Sequence, residues 1–427
     1  MRLLEIITVN SGDTVFSIAT RYGVSAAKLI DDNGLDENAA LVTGQSIVIL
    51  FPDETYTARP GDSVATAAMR FGVSTRTLFR NNIFLEGRNY LEVGSNLVIS
   101  YEQTPTLRAF LGGYAYDFIS QELLDTVVPY MTYLMPFTYG FRSDGSLVTP
   151  DDDRLVATAV RAGARPLMHL STLTDYGNFS NTLSHEMLMN NTVRQTLIEN
   201  VKSTVIQKNY YGVDIDFEFL FAEDRQRYVE FITLVSAEMN GLGKICVVAV
   251  PPKTSDTQTG LLYEGVDYAG LGEAADYVFV MTYEWGYRFG PPLAIAPIQS
   301  AERVVQYSIS RIPPEKIILG ISNYGYDWTL PFVRGESDAP SLSTAQALEL
   351  AGIYGAEILF DELAQAPYFY YTDPSGRAHV VWFEDARSYA AKVGLIRNYG
   401  LAGGFIWDLM RENPQGYVTL NALMDIE

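Results

Sequence analysis

The stretch YGVDIDFEF, Tyr211 to Phe219, constrains the fold of this chain more than any other. Asp214, Asp216 and Glu218 stand at i, i+2 and i+4 among apolar and β-branched residues, which is strand spacing. Side chains alternate faces along a strand, so the three carboxyls project to one side, neighbours about 6–7 Å apart. Val213, Ile215, Phe217 and Phe219 then face the other way, into an apolar layer. Burying three acids in a row is costly unless they share protons or find partners. The plainer alternative is a solvated edge strand, but edge strands rarely carry so apolar an opposite face and use Lys or Pro as guards. The pattern therefore points to acid–base chemistry.

The 427 residues are long for one domain and suit a large catalytic domain with small modules. Hydrophobic residues make up 48%, with 28 Tyr and 21 Phe, enough for a substantial core. A net charge of −21 argues against nucleic acid as partner, since such proteins concentrate Lys and Arg, and against an anionic membrane surface. Many tyrosines on an acidic background suit carbohydrate. The single cysteine, Cys246, sits in the apolar run ICVVAV and reads as a buried small hydrophobe; it can form no intramolecular disulfide. His169, His185 and His379 are scattered, so neither metal nor organic cofactor is expected. Residues 1–10 lack the features of a signal peptide, and no apolar run approaches transmembrane length.

An internal repeat opens the chain. TVNSGDTVFSIATRYGVS from Thr8 aligns with TARPGDSVATAAMRFGVS from Thr57, a shift of 49 residues. The match continues through Leu29 and Leu78, Asn33 and Asn82, and LVTGQSIVI and LEVGSNLVI. Each copy reads strand, helix, helix, strand, with Asp13 and Asp62 where a helix N-cap or first turn would sit. The pattern resembles the LysM module, a small βααβ domain that binds N-acetylglucosamine-containing glycans. The resemblance implies modules at 1–51 and 52–101; the second copy is slightly divergent at its first helix, SVATAAMRF, a difference that could weaken its binding. Two adjacent copies favour binding over a purely structural role, since linked weak sites gain effective concentration.

YEQTPTL, from Tyr101, reads as a linker. Beyond it, eight apolar strand-like runs alternate with helical stretches: RAFLGGYAY, YLMPFTYGF, ARPLMHLS, YGVDIDFEF, KICVVAVPP, ADYVFVMTYEW, KIILGISNYGYDW and GGFIWDL. That alternation predicts an α/β fold, a (β/α)8 TIM barrel over 102–427 with its active site at the C-terminal strand ends. PYFYYTDPSGRAHVVWF, residues 367–383, breaks the alternation and predicts a small inserted hairpin, within an insertion near 355–383.

YGVDIDFE resembles the Asp-x-Asp-x-Glu signature of glycoside hydrolase family 18. MTYEW from Met281 resembles that family's strand-six segment, NYGYDW from Asn323 its strand-seven Tyr-Gly segment, and GGFIW puts Trp407 where the family keeps a pocket tryptophan. With the module pair, the chain looks most like the spore cortex-fragment-lytic N-acetylglucosaminidases of spore-forming bacteria. The resemblance implies that Glu218 is the general acid and that the substrate's acetamido carbonyl, not a second carboxylate, attacks the anomeric carbon. Asp216 would orient the acetamido N–H and offset developing positive charge. Asp214 would share a proton with Asp216, so that the trio titrates as a unit and Glu218 stays protonated near neutral pH. Tyr283 would hydrogen-bond the acetamido oxygen and Trp407 would floor the sugar site. Met281, Glu284, Tyr116, Asn323 and Tyr324 complete the implied substrate-binding set.

Two residues depart from the family pattern. Tyr211 replaces an Asp before the Gly, and by strand parity it faces the helix layer. Glu284 replaces the Asp after the strand-six Tyr, keeping the charge but adding about 1.5 Å of reach, a shift of the size that matters in a positioned site. The implied activity is a retaining, substrate-assisted β-N-acetylglucosaminidase acting on peptidoglycan fragments of the spore cortex during germination. Without a signal peptide, the protein would be assembled onto the spore from the cytoplasm. A chitinase with the same chemistry is the nearest rival, and a short insertion hairpin would favour small or end-bound substrates. A non-catalytic glycan-binding coat protein is disfavoured, because lectins on this barrel typically lose the acidic Glu that stands here at 218.

Overall fold

The computed structural model describes residues 4–36, 40–102, 105–174 and 176–427. Among these, eight parallel strands close into a barrel: Arg108–Tyr116 (β1), Tyr133–Phe137 (β2), Arg165–Ser171 (β3), Gly212–Asp216 (β4), Ile245–Val250 (β5), Tyr277–Val280 (β6), Ile317–Ser322 (β7) and Gly403–Trp407 (β8). They pair in that order, and β8 pairs back onto β1. Each predicted apolar run thus supplies one strand, and helices pack outside. The alternation of a strand explains two separate cores. Val213, Ile215, Met168, Leu134 and Leu319 face the helices, whereas Tyr133, Met135, Leu167, Phe279, Ile318 and Phe405 fill the barrel.

Tyr211 departs from its predicted orientation. The ladder begins at Gly212, so parity does not carry back to 211. Its ring lies against the barrel-interior Tyr133 (centroids 6.0 Å), with the Arg165 guanidinium 4.9 Å from its centroid, where it helps to close the bottom of the barrel.

The two repeats fold alike. Asn33 Nδ2 donates to Leu29 O and Val48 O, and Asn33 Oδ1 accepts from Val48 N. Asn82 does the same with Leu78 and Val98. One buried amide thus ties the second helix to the second strand in each copy, which is why Asn recurs at the 49-residue shift. The helix caps fall one residue later than expected, at Thr14 and Ser63, each in a capping box. Asp13 and Asp62 instead close the preceding turns, accepting from Asn10 N (3.0 Å) and Arg59 N (2.9 Å). Tyr101 ends the last strand of the second module, so the linker starts after it; Gln103 and Thr104, like residues 1–3, lie outside the described residues.

Both modules are docked on the barrel. Gln415, from the last barrel helix, bonds Asn33 Oδ1, Ser46 O and Ser46 Oγ of the first module at 2.8–2.9 Å. Arg76 and Arg80 of the second module donate to Pro129 O, and Arg80 also to Ile426 O. At Gly44 (φ +86°) a Cβ would stand 1.8 Å from Ile358 O, so only glycine permits that approach of module to insertion.

The insertion is larger than the predicted hairpin. Ala366–Thr372 and Ala378–Trp382 do pair antiparallel, but they sit inside a five-stranded sheet, flanked by Gly325–Thr329, Ser341–Leu342 and Leu359–Asp361, with a helix at Thr344–Tyr354. The run KIILGISNYGYDW therefore divides: Ile317–Ser322 belongs to the barrel and Gly325–Thr329 to the inserted sheet.

Candidate active site

Asp214 and Asp216 project from β4 into the barrel, whereas Glu218 stands two residues past its end, at the C-terminal rim. Phe217 keeps the expected outward face, stacked between Phe141 and Phe231 at 5.5 and 5.7 Å. Phe219 does not. The chain turns at a positive φ (+56°) there and leaves the ring 47% exposed at the cleft mouth, with its carbonyl accepting from Asn181 Nδ2.

The cleft has a volume of about 900 Å3. Asp216, Glu218, Met281, Tyr283, Glu284, Tyr116 and Trp407 all line it, so seven of the expected site residues meet there. Asp214 lies beneath them, fully buried. Trp407 is held edge-on by Phe137 (4.9 Å) and Tyr114 (5.5 Å). Gly320 makes room for Tyr283, since a Cβ there would come within 2.8 Å of the Tyr283 ring. Tyr324 stands behind the wall, donating to Glu284 Oε1 at 2.9 Å beside Tyr326 at 3.2 Å. Asn323 does not line the cleft. Its amide is committed to Asp408 O, Arg411 O, Tyr389 OH and Asn413 Nδ2, a buried network below the floor.

The inserted sheet supports the cleft from outside. Trp328 Nε1 donates to Gly290 O, Ala339 N to Arg288 O, and Arg288 pairs with Asp338, all fixing the loop that carries Trp285 and Tyr287 into the cleft. The premise of a short hairpin, and with it the preference for small substrates, is not met.

Burial dominates the electrostatics. It raises Asp216 to about 8, with the Glu218 charge adding to the rise. Glu218 is raised to about 7, by burial first and by Glu284 second. Tyr283 is pushed well above the ordinary tyrosine range, so it remains an O–H donor. Asp214 Oδ1 and Asp216 Oδ1 are both buried without a partner among the described residues. Two orphaned acceptors on neighbouring carboxyls are satisfied when one carries a proton toward the other. A carboxyl that holds its proton to about pH 7 at the rim of an aromatic cleft can protonate a bound leaving group.

The sequence reasoning missed Tyr114 and His169, which both bond Asp214 Oδ2 at 2.8 Å, and the cleft-wall rings of Phe137, Phe179 and Tyr287. His169 could have been found: as the sixth residue of ARPLMHLS it alternates inward with Leu167, and the parallel register sets it directly beside Asp214. Cys246 is buried as expected. Among the described residues no group of three or more His, Cys, Asp or Glu could hold a metal ion, and no helix is long and apolar enough to cross a membrane.

Comparison with known proteins agrees with this geometry. The family model for glycosyl hydrolases family 18 matches residues 154–412, and that for the LysM domain matches 7–50 and 56–100. A cortical fragment-lytic enzyme of Bacillus anthracis is 35% identical over 98% of both chains, and one of Bacillus subtilis is 35% identical over 98% of this chain and 97% of its own. The crystal structure of the Bacillus cereus spore cortex-lytic enzyme SleL superposes with a TM-score of 0.84 at 32% identity, covering 100% of this chain and 99% of that one. The barrel, the carboxylate line at the end of β4 and the paired N-terminal modules thus belong to a glycoside hydrolase of family 18 that carries two LysM domains.

Proposed function

We propose that this hydrolase is a retaining, substrate-assisted β-N-acetylglucosaminidase that cuts peptidoglycan fragments of the spore cortex. The observation that carries the reading is Glu218: a half-buried carboxyl raised to about 7 at the rim of the cleft, with Asp216 and Tyr283 beside it. Glu218 passes its proton to the glycosidic oxygen as the bond to the anomeric carbon breaks. The acetamido oxygen of the same sugar closes on that carbon, giving an oxazolinium ion and the leaving alcohol. Asp216 accepts from the acetamido N–H through its carbonyl oxygen, the single negative charge of the Asp214–Asp216 pair offsets the positive charge, and the Tyr283 hydroxyl donates to the acetamido oxygen. Water then adds to the anomeric carbon from the vacated side, gives its proton to Glu218, and restores the acetamide with net retention. Trp407 serves as the apolar floor, and Met281, Glu284 and Tyr116 as further walls of the sugar site.

The choice of substrate is supported by the names of the full-length relatives, which are cortical fragment-lytic and spore cortex-lytic enzymes, and by the LysM pair, which would hold the enzyme on an N-acetylglucosamine-containing glycan. Action on the cortex makes the enzyme spore-associated. Mass spectrometry of products from purified cortex fragments, with chitin oligomers in parallel, tests the reading. Fragments that end in reducing N-acetylglucosamine, formed faster from cortex than from chitin, are expected. Faster cleavage of chitin would keep the chemistry and replace the substrate; reducing muramic ends would contradict the assigned bond.

A further inference from the structure

His169 lies in the middle of β3, 1% exposed, and is drawn into the site by the register that pairs β3 with β4. Its Nδ1 meets Asp214 Oδ2 at 2.8 Å, and the Tyr114 hydroxyl meets the same oxygen at 2.8 Å. The other oxygen, Oδ1, is buried without a partner among the described residues, and so is Oδ1 of Asp216, two residues further along the same face of β4. Two donors thus converge on one oxygen of Asp214, while its second oxygen is left for the proton of the pair. His169 Nε2 has no partner among the described residues, its ring stacking on Phe137 at 4.9 Å. A ring with Nδ1–H and a bare Nε2 leaves no unpaired buried donor; any other form leaves one or removes the donor from Asp214.

We infer that His169 is a positioning residue of the reaction: as an Nδ1–H donor it pins Asp214 as the anionic member of the buried pair, so that the shared proton faces Asp216. The inference rests on the hydrolase reading above. Its consequence is electrostatic. When Glu218 gives up its proton, a negative charge appears beside Asp216. With Asp214 already stabilised as the anion by two donors, Asp216 can keep the proton and spare Glu218 a second negative neighbour. Among the described residues, the groups that face the imidazole are Asp214 and Asp216 from β4, the Tyr114 hydroxyl from β1 and the Phe137 ring from β2. Glu218 and Tyr283 stand beyond them and act on Asp216.

Two measurements on the full-length protein test this. The first is the 15N NMR pattern of the His169 imidazole, assigned by its loss in His169→Asn, and it needs no turnover. Protonated Nδ1 with bare Nε2 is expected; protonated Nε2 with bare Nδ1 overturns the inference whether or not the protein is a hydrolase. The second is the pH–rate profile on a soluble aryl glycoside of an N-acetylglucosamine oligomer, with thermal melting to confirm folding. His169→Leu and His169→Gln both lose the donor at the Nδ1 position, so either serves if the other does not fold. Each should lower kcat by about tenfold or more with KM within about twofold. The acid limb should move up by about one pH unit, because an Asp214 anion short of a donor lets the pair take its second proton earlier. His169→Asn keeps an N–H near the Nδ1 place and should restore both. Equal loss in all three variants with an unmoved limb would mean simple packing, and disappearance of the limb would mean that His169 itself titrates there; either overturns the inference.

Discussion

At the scale of single residues, the site rests on two acids, Asp216 and Glu218, whose protons are held chiefly by burial. This has a consequence for stability as well as for rate. Asp216 is raised from an ordinary 3.8 to about 8, so the folded state holds a proton that the unfolded chain releases above about pH 4. The native state then binds more protons than the unfolded state throughout that window, and stability falls as pH rises from about 4 to about 8, by at most about 1.4 kcal/mol per pH unit for one group. Asp216→Asn removes the group that titrates. Urea unfolding at pH 4.5 and pH 8 should therefore show the variant gaining on the wild type at the higher pH; a pH-independent difference would contradict the assignment. Under the proposed mechanism Glu218, raised to about 7, should set the alkaline limb of activity, since the acid loses its proton as pH passes through that value; a pH–rate profile without a limb there would contradict the role.

The residue-level story was half legible in the sequence. Alternation placed Asp214 and Asp216 inward, because a regular ladder obeys a period of two. It failed at both ends of β4, where the ladder stops: Tyr211 precedes it and Phe219 follows it on a left-handed turn. His169 escaped notice because a lone histidine in an apolar run reads as core. Its meaning depends on which residue the neighbouring strand sets beside it, and pairing register across strands is not local information.

At the scale of elements, the eight strands were legible because each is a short apolar run bounded by polar helical stretches. The insertion was not. Gly325–Thr329 follows β7 after two residues and is as aromatic as a barrel strand, so only its antiparallel pairing with Ala378–Trp382 separates it. The repeat modules offer a sharp test of element-level reasoning. Asn82 satisfies Leu78 O, Val98 O and Val98 N from a buried position. Asn82→Ala strands those groups and should destabilise the second module by about 2–4 kcal/mol. Hydrogen exchange of Val98 N would detect it as a loss of protection; unchanged protection would contradict the role given to the amide.

At the scale of the molecule, the modules and the barrel form one packed body and not beads on a string. Gln415 reaches into the first module, and Arg76 and Arg80 of the second cover carbonyls of Pro129 and Ile426. Removing residues 1–101 would leave Gln415 Nε2 and those carbonyls without their protein partners and bare the apolar surface around Tyr130, whose hydroxyl bonds Arg80 O. The truncated barrel should therefore melt below the full chain; an equal melting temperature would show the docking to be energetically idle. The fixed docking also sets where a glycan held by the modules can run relative to the cleft, which gives tandem weak sites a defined geometry in place of a flexible tether.

One comparison tests the central claim most directly: wild type against Glu218→Gln, following reducing ends released from purified cortex fragments, with melting curves to confirm that both are folded. Loss of the acid should lower the rate by about 10²–10⁴-fold without lowering stability. A Glu218→Gln variant that cuts the same fragments at a rate near that of wild type would mean that the proton comes from elsewhere, and that the line of acids at the end of β4 is not the catalytic centre.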